Sequence, residues 1–270
     1  MNEHRHRKHL GQHFLHDPFV IERIITAVSP QAGQTVFEVG PGAGAISVPL
    51  LQASGALYVV EMDDTVVPLL KRHCEGLGQL HIHQGDVLKL DIDQFVPKTL
   101  GQIRLVGNLP YNISTPLFFH FAKYLHRFQD LHVMVQKEVA ERVVSAPDCK
   151  QYGRLSVMMQ YYFHAEILFH IGPGAFNPPP KVDSSVMRLL PHKQPPVEVG
   201  DIGLFKEIVA AAFGQRRKTI RNTLKNKVSP VALEAAGINP GLRPENLTLA
   251  DFAAISRVVS QSLQGEQNPD

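Results

Sequence analysis

The chain is poor in cysteine: Cys74 and Cys149 are too few for a disulfide framework or a four-cysteine metal site. It also lacks a long apolar run, with nothing approaching the roughly 20 residues that a membrane-spanning helix needs. Residues 1–9 are basic and histidine-rich but lead into no apolar stretch, so no secretory signal is expected there. His4, His6 and His9 are too loosely arranged to argue for a metal. Internal repeats and low-complexity tracts are absent. These absences leave a cytoplasmic globular protein, with no metal and no membrane contact, as the expectation. Net charge is only +2, which argues against a uniformly polyanion-binding surface. That small total conceals a local excess: between residues 204 and 230, seven basic residues, among them Arg216, Arg217, Lys218, Arg221 and Lys225, stand against Glu207 alone. A basic segment on a near-neutral body predicts a localised phosphate contact, with a solvated basic helix as the plainer alternative.

At 270 residues the chain can hold one large domain, or a large one and a small one. Strand-like runs at 36–40, 57–61, 81–86, 103–107 and 131–136 alternate with amphipathic stretches of helical length such as 65–74 and 115–126. Such alternation predicts an α/β fold, a parallel sheet covered by helices on both faces. Asp17-Pro18 makes an N-cap and first turn for a helix running to about residue 28. Two further strands are expected at 167–171 and 185–190, joined by a loop over 172–183. Composition shifts at 191–200, which carries three prolines and reads as a linker. Beyond it, 202–213, 219–225, 230–236 and 249–263 look helical and no strand is evident. The predicted organisation is an N-terminal basic arm over 1–16, a Rossmann-like domain over 17–195, a small all-α domain over 196–263 and a tail over 264–270.

Two strand ends carry the chemistry. The first leads into Phe37-Glu38-Val39-Gly40-Pro41-Gly42-Ala43-Gly44, where glycines let the backbone turn sharply and let a ligand approach closely. Acids end the next two strands, at Glu61 and Asp86. Ala45 completes a dinucleotide fingerprint, but Pro41 has no N–H to offer a pyrophosphate. An acidic rim of Glu38, Glu61 and Asp86 suits a cationic ligand better, and S-adenosylmethionine carries a sulfonium and an ammonium without phosphate. At the second strand end stands Asn108-Leu109-Pro110-Tyr111. An Asn carbonyl and a neighbouring backbone carbonyl can accept the two N–H bonds of an exocyclic amine, favouring a pyramidal nitrogen with an available lone pair. Tyr111 can stack on the heterocycle. Phe176, in the late loop, reads equally as a second stacking ring or as a loop anchor.

These motifs, in this order, resemble those of S-adenosylmethionine-dependent N6-adenine methyltransferases. The resemblance narrows with Gly11-Gln12-His13-Phe14-Leu15, Gln136-Lys137-Glu138-Val139, Tyr152-Gly153-Arg154-Leu155-Ser156, the run Phe176-Asn177-Pro178-Pro179-Pro180-Lys181-Val182-Asp183-Ser184, and Gln215-Arg216-Arg217-Lys218-Thr219-Ile220-Arg221-Asn222. The set is similar to the bacterial 16S ribosomal RNA adenine N6,N6-dimethyltransferases, the KsgA/RsmA family, from about residue 8 to residue 263. The resemblance implies dimethylation of two adjacent adenosines in the 3′-terminal hairpin loop of 16S rRNA on a maturing 30S subunit, by a monomer. It implies that the segment around His13 and Leu15 closes over the cofactor, that Gly40 lines its methionine part and that Glu61 holds its ribose. Asp86 would meet the adenine amine, and Asn108 both cofactor and target nitrogen. His13 departs from the Asn usual at its position, and Leu109 replaces the first proline of the D-P-P-Y form found in other adenine methyltransferases.

Three rival readings remain at this level: a large-subunit rRNA adenine methyltransferase of the macrolide-resistance type, a ribosome-assembly factor with incidental methylation, and an NAD-dependent oxidoreductase. The last gives no account of Asn108–Tyr111 or of the basic segment.

Overall fold

The computed structural model describes residues 13–215 and 217–267. The chain divides into two compact units, one comprising the residues up to Ala140 with Ala165–Pro191, the other Glu141–His164 with the residues from His192 onward.

The elements, in chain order, are β1 (Phe14–Leu15), α1 (Pro18–Val28), β2 (Thr35–Val39), α2 (Ser47–Ser54), β3 (Ala56–Glu61), α3 (Val67–His73), β4 (Gln79–Gln84), α4 (Ile92–Phe95), β5 (Ile103–Asn108), α5 (Ser114–Phe121), β6 (Phe128–Gln136) and α6 (Lys137–Val144). There follow α7 (Arg154–Tyr162), β7 (Phe163–Ile171), β8 (Phe176–Asn177), β9 (Ser184–Pro191), α8 (Ile202–Ala212), α9 (Ile220–Thr223), α10 (Pro230–Ala235) and α11 (Leu249–Gln267).

The first unit is built on a seven-stranded sheet of order β4-β3-β2-β5-β6-β9-β7. Every residue of β2 is buried, as a central strand covered on both faces requires. Strands β4, β3, β2, β5 and β6 run parallel, whereas β9 is antiparallel to β6, with Gln136 opposite Ser184. The five strands expected to be parallel are so, and the later strand β9 makes the sheet a mixed one. The cause lies in the 172–183 loop, which ends at the carboxyl end of β6, where the Lys137 N–H donates to the Asp183 carbonyl at 2.9 Å. A strand entered from that end has to run back along β6. Order reverses between β2–β3–β4 on one side and β5–β6 on the other, so a crevice opens at the carboxyl ends of β2 and β5.

Helix α1 starts where Asp17 Oδ1 accepts the N–H groups of Phe19 and Val20, at 2.9 and 3.3 Å, a cap worth about 1 kcal/mol. Its buried face, Ile24 and Val28, packs into the core with Val36, Leu57 and Val59. At the opposite end of the sheet from the crevice, Arg104 of β5 and Asp130 of β6 are paired in register. Both are buried, at 7 % and 6 % exposure. The guanidinium meets the carboxylate at 3.0 Å (Nε to Oδ1) and 2.6 Å (Nη2 to Oδ2), while Nη1 donates to the Ser29 carbonyl at 3.1 Å. One side chain thus ties two strands to the end of α1.

In the second unit, Tyr161 of α7 meets Phe205 of α8 with ring centroids 5.2 Å apart, and Phe213 meets Phe252 of α11 at 5.6 Å. The Tyr152 hydroxyl donates to the Leu247 carbonyl at 2.9 Å. The sequence reading put 141–164 with the sheet. It groups instead with the C-terminal helices, because the buried residues of α7 find apolar partners there.

Removing Asp130 leaves the Arg104 charge buried without its counter-ion. Asp130→Ala is expected to lower the unfolding free energy by roughly 3–5 kcal/mol in urea denaturation, and a loss under about 1 kcal/mol would show the pair to be inert. Burial pushes the Asp130 carboxyl up, but the nearby His132 ring, 3.7 Å away, and the hydrogen-bonded Arg104 guanidinium outweigh it and hold it below its ordinary 3.8. Its stabilisation is therefore complete above that value and is lost as pH falls through the depressed one.

Candidate active site

All the sequence-predicted residues of the crevice except Phe176 line one cavity of ≈ 370 Å³ at the carboxyl ends of β2, β3 and β5. Those residues are His13, Leu15, Gly40, Glu61, Asp86 and the run Asn108, Leu109, Pro110 and Tyr111. Its lining, among the described residues, has three carboxyl side chains and no lysine or arginine.

The glycine loop leaves β2 with the Gly40 N–H bonded to the Val60 carbonyl at 3.0 Å. Gly42 has φ +54°, and a Cβ there would sit 2.7 Å from the Phe14 ring. Only glycine lets the turn and the overlying β1 segment coexist.

Glu61 is buried at the end of β3 and fastens this loop. Its Oε2 accepts the Gly42 N–H at 3.0 Å and its Oε1 the Asp63 N–H at 2.9 Å. Each carboxylate oxygen has a second lone-pair site, so a vicinal diol can still be received. Burial raises the Glu61 pKa, and the backbone bonds from Asp63 and Gly42 work against that rise.

Glu38 differs from the expected rim acid. It is 2 % exposed and accepts the Ser47 hydroxyl at 2.5 Å. Burial pushes its carboxyl up to about 8; the Ser47 bond opposes this and the nearby Glu61 adds to it. At neutral pH it is a neutral acid in the cavity wall, so the acidic rim reduces to Glu61 and Asp86. Asp86 Oδ1 accepts the Leu88 N–H at 3.0 Å and caps the 3₁₀ turn Val87–Lys89.

Asn108 ends β5, and its Nδ2 donates to the His13 backbone carbonyl at 2.9 Å. The His13 ring stacks on Tyr111, with centroids 5.5 Å apart and planes at 28°. Its Nδ1 lies 2.7 Å from the Pro178 carbonyl. The Tyr111 hydroxyl pairs with Ser184 Oγ, and burial raises its pKa.

Phe176 does not offer a stacking face. It is 2 % exposed, belongs to the core and pairs through β8 with Leu15 of β1. It is the anchor of the 172–183 loop, held by the apolar core beneath.

Sequence reasoning passed over the cavity's apolar walls, Phe14, Ile46, Met62, Val87 and Leu88. Phe14 was legible in the motif that supplied His13 and Leu15, and Met62 follows a strand-end acid. Ser47 and Ser184, partners of Glu38 and Tyr111, gave no local signal.

In the second unit Arg217, Lys218, Arg221 and Lys225 are exposed, while Arg216 and the basic arm of residues 1–12 lie outside the described residues. The expected helix at 219–225 is the single turn α9, so among the described residues of this group only Arg221 is helical. Arg217 and Lys218 precede its N-cap, Thr219. Lys227 is engaged by Glu207 at 2.6 Å.

Among the described residues, no helix is long and apolar enough to cross a membrane, and no group of three or more His, Cys, Asp or Glu could hold a metal ion. The sequence matches the family described as ribosomal RNA adenine dimethylase over residues 3–261. Ribosomal RNA small subunit methyltransferase A of Pseudomonas putida is 47% identical over 268 residues, covering 98% of this chain and 100% of its own. The protein of the same name from Aromatoleum aromaticum is 49% identical over 262 residues, with 96% of each chain covered. A crystal structure of a dimethyladenosine transferase from Plasmodium falciparum superposes with a TM-score of 0.76 at 25% identity, over 90% of this chain and 96% of that one. With the cavity's architecture and a match running almost from end to end, the chain belongs to the ribosomal RNA adenine dimethylase family and is a methyltransferase.

Proposed function

We propose that the protein dimethylates the N6 amines of two adjacent adenosines in the 3′-terminal hairpin loop of 16S rRNA, on the maturing 30S subunit, in the cytoplasm and as a monomer. The observation that carries this reading is the Asn108 amide. Its NH2 is engaged by the His13 carbonyl, so its Oδ1 is the end left to accept an N–H from the target amine. Names of the relatives at 47% and 49% identity favour the small-subunit target over the large-subunit one.

The cavity fits S-adenosylmethionine. It offers carboxyl groups and apolar walls and, among the described residues, no lysine or arginine, as suits a cationic ligand without phosphate. Glu61 would hold the ribose, Asp86 the adenine amine, and Gly40, with His13 and Leu15 above it, the methionine end. When bound, the cofactor supplies a sulfonium-activated methyl group as the electrophile. Asn108 Oδ1 draws on one amine N–H and a neighbouring backbone carbonyl on the other, favouring a pyramidal nitrogen whose lone pair is free to attack. Tyr111, fixed at its hydroxyl by Ser184, orients the base plane, and Leu109 and Pro110 stiffen the strand end that carries both groups. Catalysis rests on positioning, since the methylated amine is acidic enough to lose its proton afterwards without a strong base. A loop adenosine costs less to extrude than a paired one. Arg216, Arg217, Lys218, Arg221 and Lys225 would meet RNA phosphates.

The decisive experiment is transfer of radiolabelled methyl from S-adenosylmethionine to 30S subunits lacking the modification, with nucleoside analysis. Dimethyladenosine in the hairpin loop is expected, and its absence with tight subunit binding would make the assembly-factor reading the better one. Asn108→Ala should abolish turnover while leaving RNA affinity largely intact; an unchanged rate removes its assigned role. Glu61→Ala should weaken cofactor binding by roughly 1.5–3 kcal/mol in calorimetry, and no loss would take Glu61 out of the site. Arg217→Ala with Arg221→Ala should flatten the salt dependence of RNA affinity, whereas an unaltered slope would move the RNA surface elsewhere.

A further inference from the structure

We infer that His13 is a positioning residue for methyl transfer: it sets which end of the Asn108 amide faces the cavity, holds the Tyr111 ring, and fastens both to the 172–183 loop. The inference deepens the proposed function and rests on the roles given there to Asn108 and Tyr111.

A primary amide at a strand end has two orientations of nearly equal shape, one with oxygen toward the ligand and one with NH2. Only the first can accept from an amine. The His13 carbonyl decides between them, because it can accept from Nδ2, at 2.9 Å, but would repel Oδ1. That carbonyl must itself be held in place. The Pro178 carbonyl can only accept, so His13 Nδ1 carries the proton of the 2.7 Å bond between them. The same ring lies on Tyr111. One residue therefore touches both members of the strand-end motif and the loop 165 positions away.

The flanking contacts repeat this pattern. Leu15 pairs with Phe176, Phe14 with Asn177, and the His16 N–H donates to the Ala175 carbonyl at 3.0 Å. The loop's far end reaches the motif through Ser184 and the Tyr111 hydroxyl. The 172–183 loop is thus a brace for residues 13–16, and burial of Phe176 in the core is its footing. The His13 ring is occupied by the brace and by Tyr111, which leaves its backbone carbonyl as the part that acts on Asn108.

The test compares wild type with His13→Leu, which keeps bulk and removes the donor, and His13→Asn, which restores a donor on a shorter side chain. Single-turnover methyl transfer, the dissociation constant of S-adenosylhomocysteine and the side-chain amide resonance of Asn108, assigned by its absence in Asn108→Asp, are measured for each. The expected result for His13→Leu is a roughly tenfold slower transfer, a dissociation constant that rises by clearly less than the rate falls, and loss of the slow hydrogen exchange of the Asn108 amide. His13→Asn should recover most of the rate and the protection. An unchanged rate, or a loss of affinity equal to the loss of rate, overturns the inference. If the leucine variant does not fold, the wild-type resonance decides alone: a rapidly exchanging Asn108 amide refutes the bond to His13. If wild type transfers no methyl group, the proposed function fails, while the exchange measurement still reports on the positioning bond.

Discussion

The arrangement depends on how closely β2 and β5 approach at their carboxyl ends. Val39 stands opposite Gly107 in the register, and a Cβ on Gly107 would fall 2.7 Å from the Val39 carbonyl oxygen. Its lack of a side chain allows the parallel strands to close at the level where one turns into the glycine loop and the other ends in Asn108. A Cβ on Gly40 would lie 3.5 Å from the Asn108 backbone carbonyl, which measures how near the glycine turn sits to the tip of β5. Two reactants brought to these two strand ends are neighbours without any further movement.

Around that junction the polar groups divide into those that serve the scaffold and those left for ligands. Glu61 spends one lone pair of each oxygen on the turn and keeps the others. Glu38 gives one oxygen to Ser47 and, deep in the wall, is kept neutral. A second unscreened negative charge beside Glu61 would cost more than a buried acid does. The cavity's negative character at neutral pH is consequently less than a count of its acids indicates.

The far end of the sheet is stabilised by a different device. Arg104 and Asp130 exchange charge-assisted bonds across adjacent parallel strands, and the same guanidinium reaches the end of α1. Ionic closure at one end and a glycine-lined opening at the other give β5 a rigid stem and a chemically exposed tip. Sites built on such a stem hold their geometry better than sites carried by loops alone.

From sequence alone came features that depend on neighbours along the chain: the order of the five parallel strands, the glycine turn, the acids at the ends of β3 and just beyond β4, the Asn108–Tyr111 tip, and the cap at Asp17. Local periodicity and backbone preference determine such features. Tertiary structure decided the rest. The antiparallel β9 follows from where a loop delivers the chain, the neutral state of Glu38 from its burial, and the withdrawal of Phe176 from the core that claims it. The pairing of His13 with Asn108, 95 positions apart, and with Pro178, 165 apart, leaves no trace in either segment's composition. A backbone carbonyl has the same chemistry in every residue, so only the fold determines which one meets the amide.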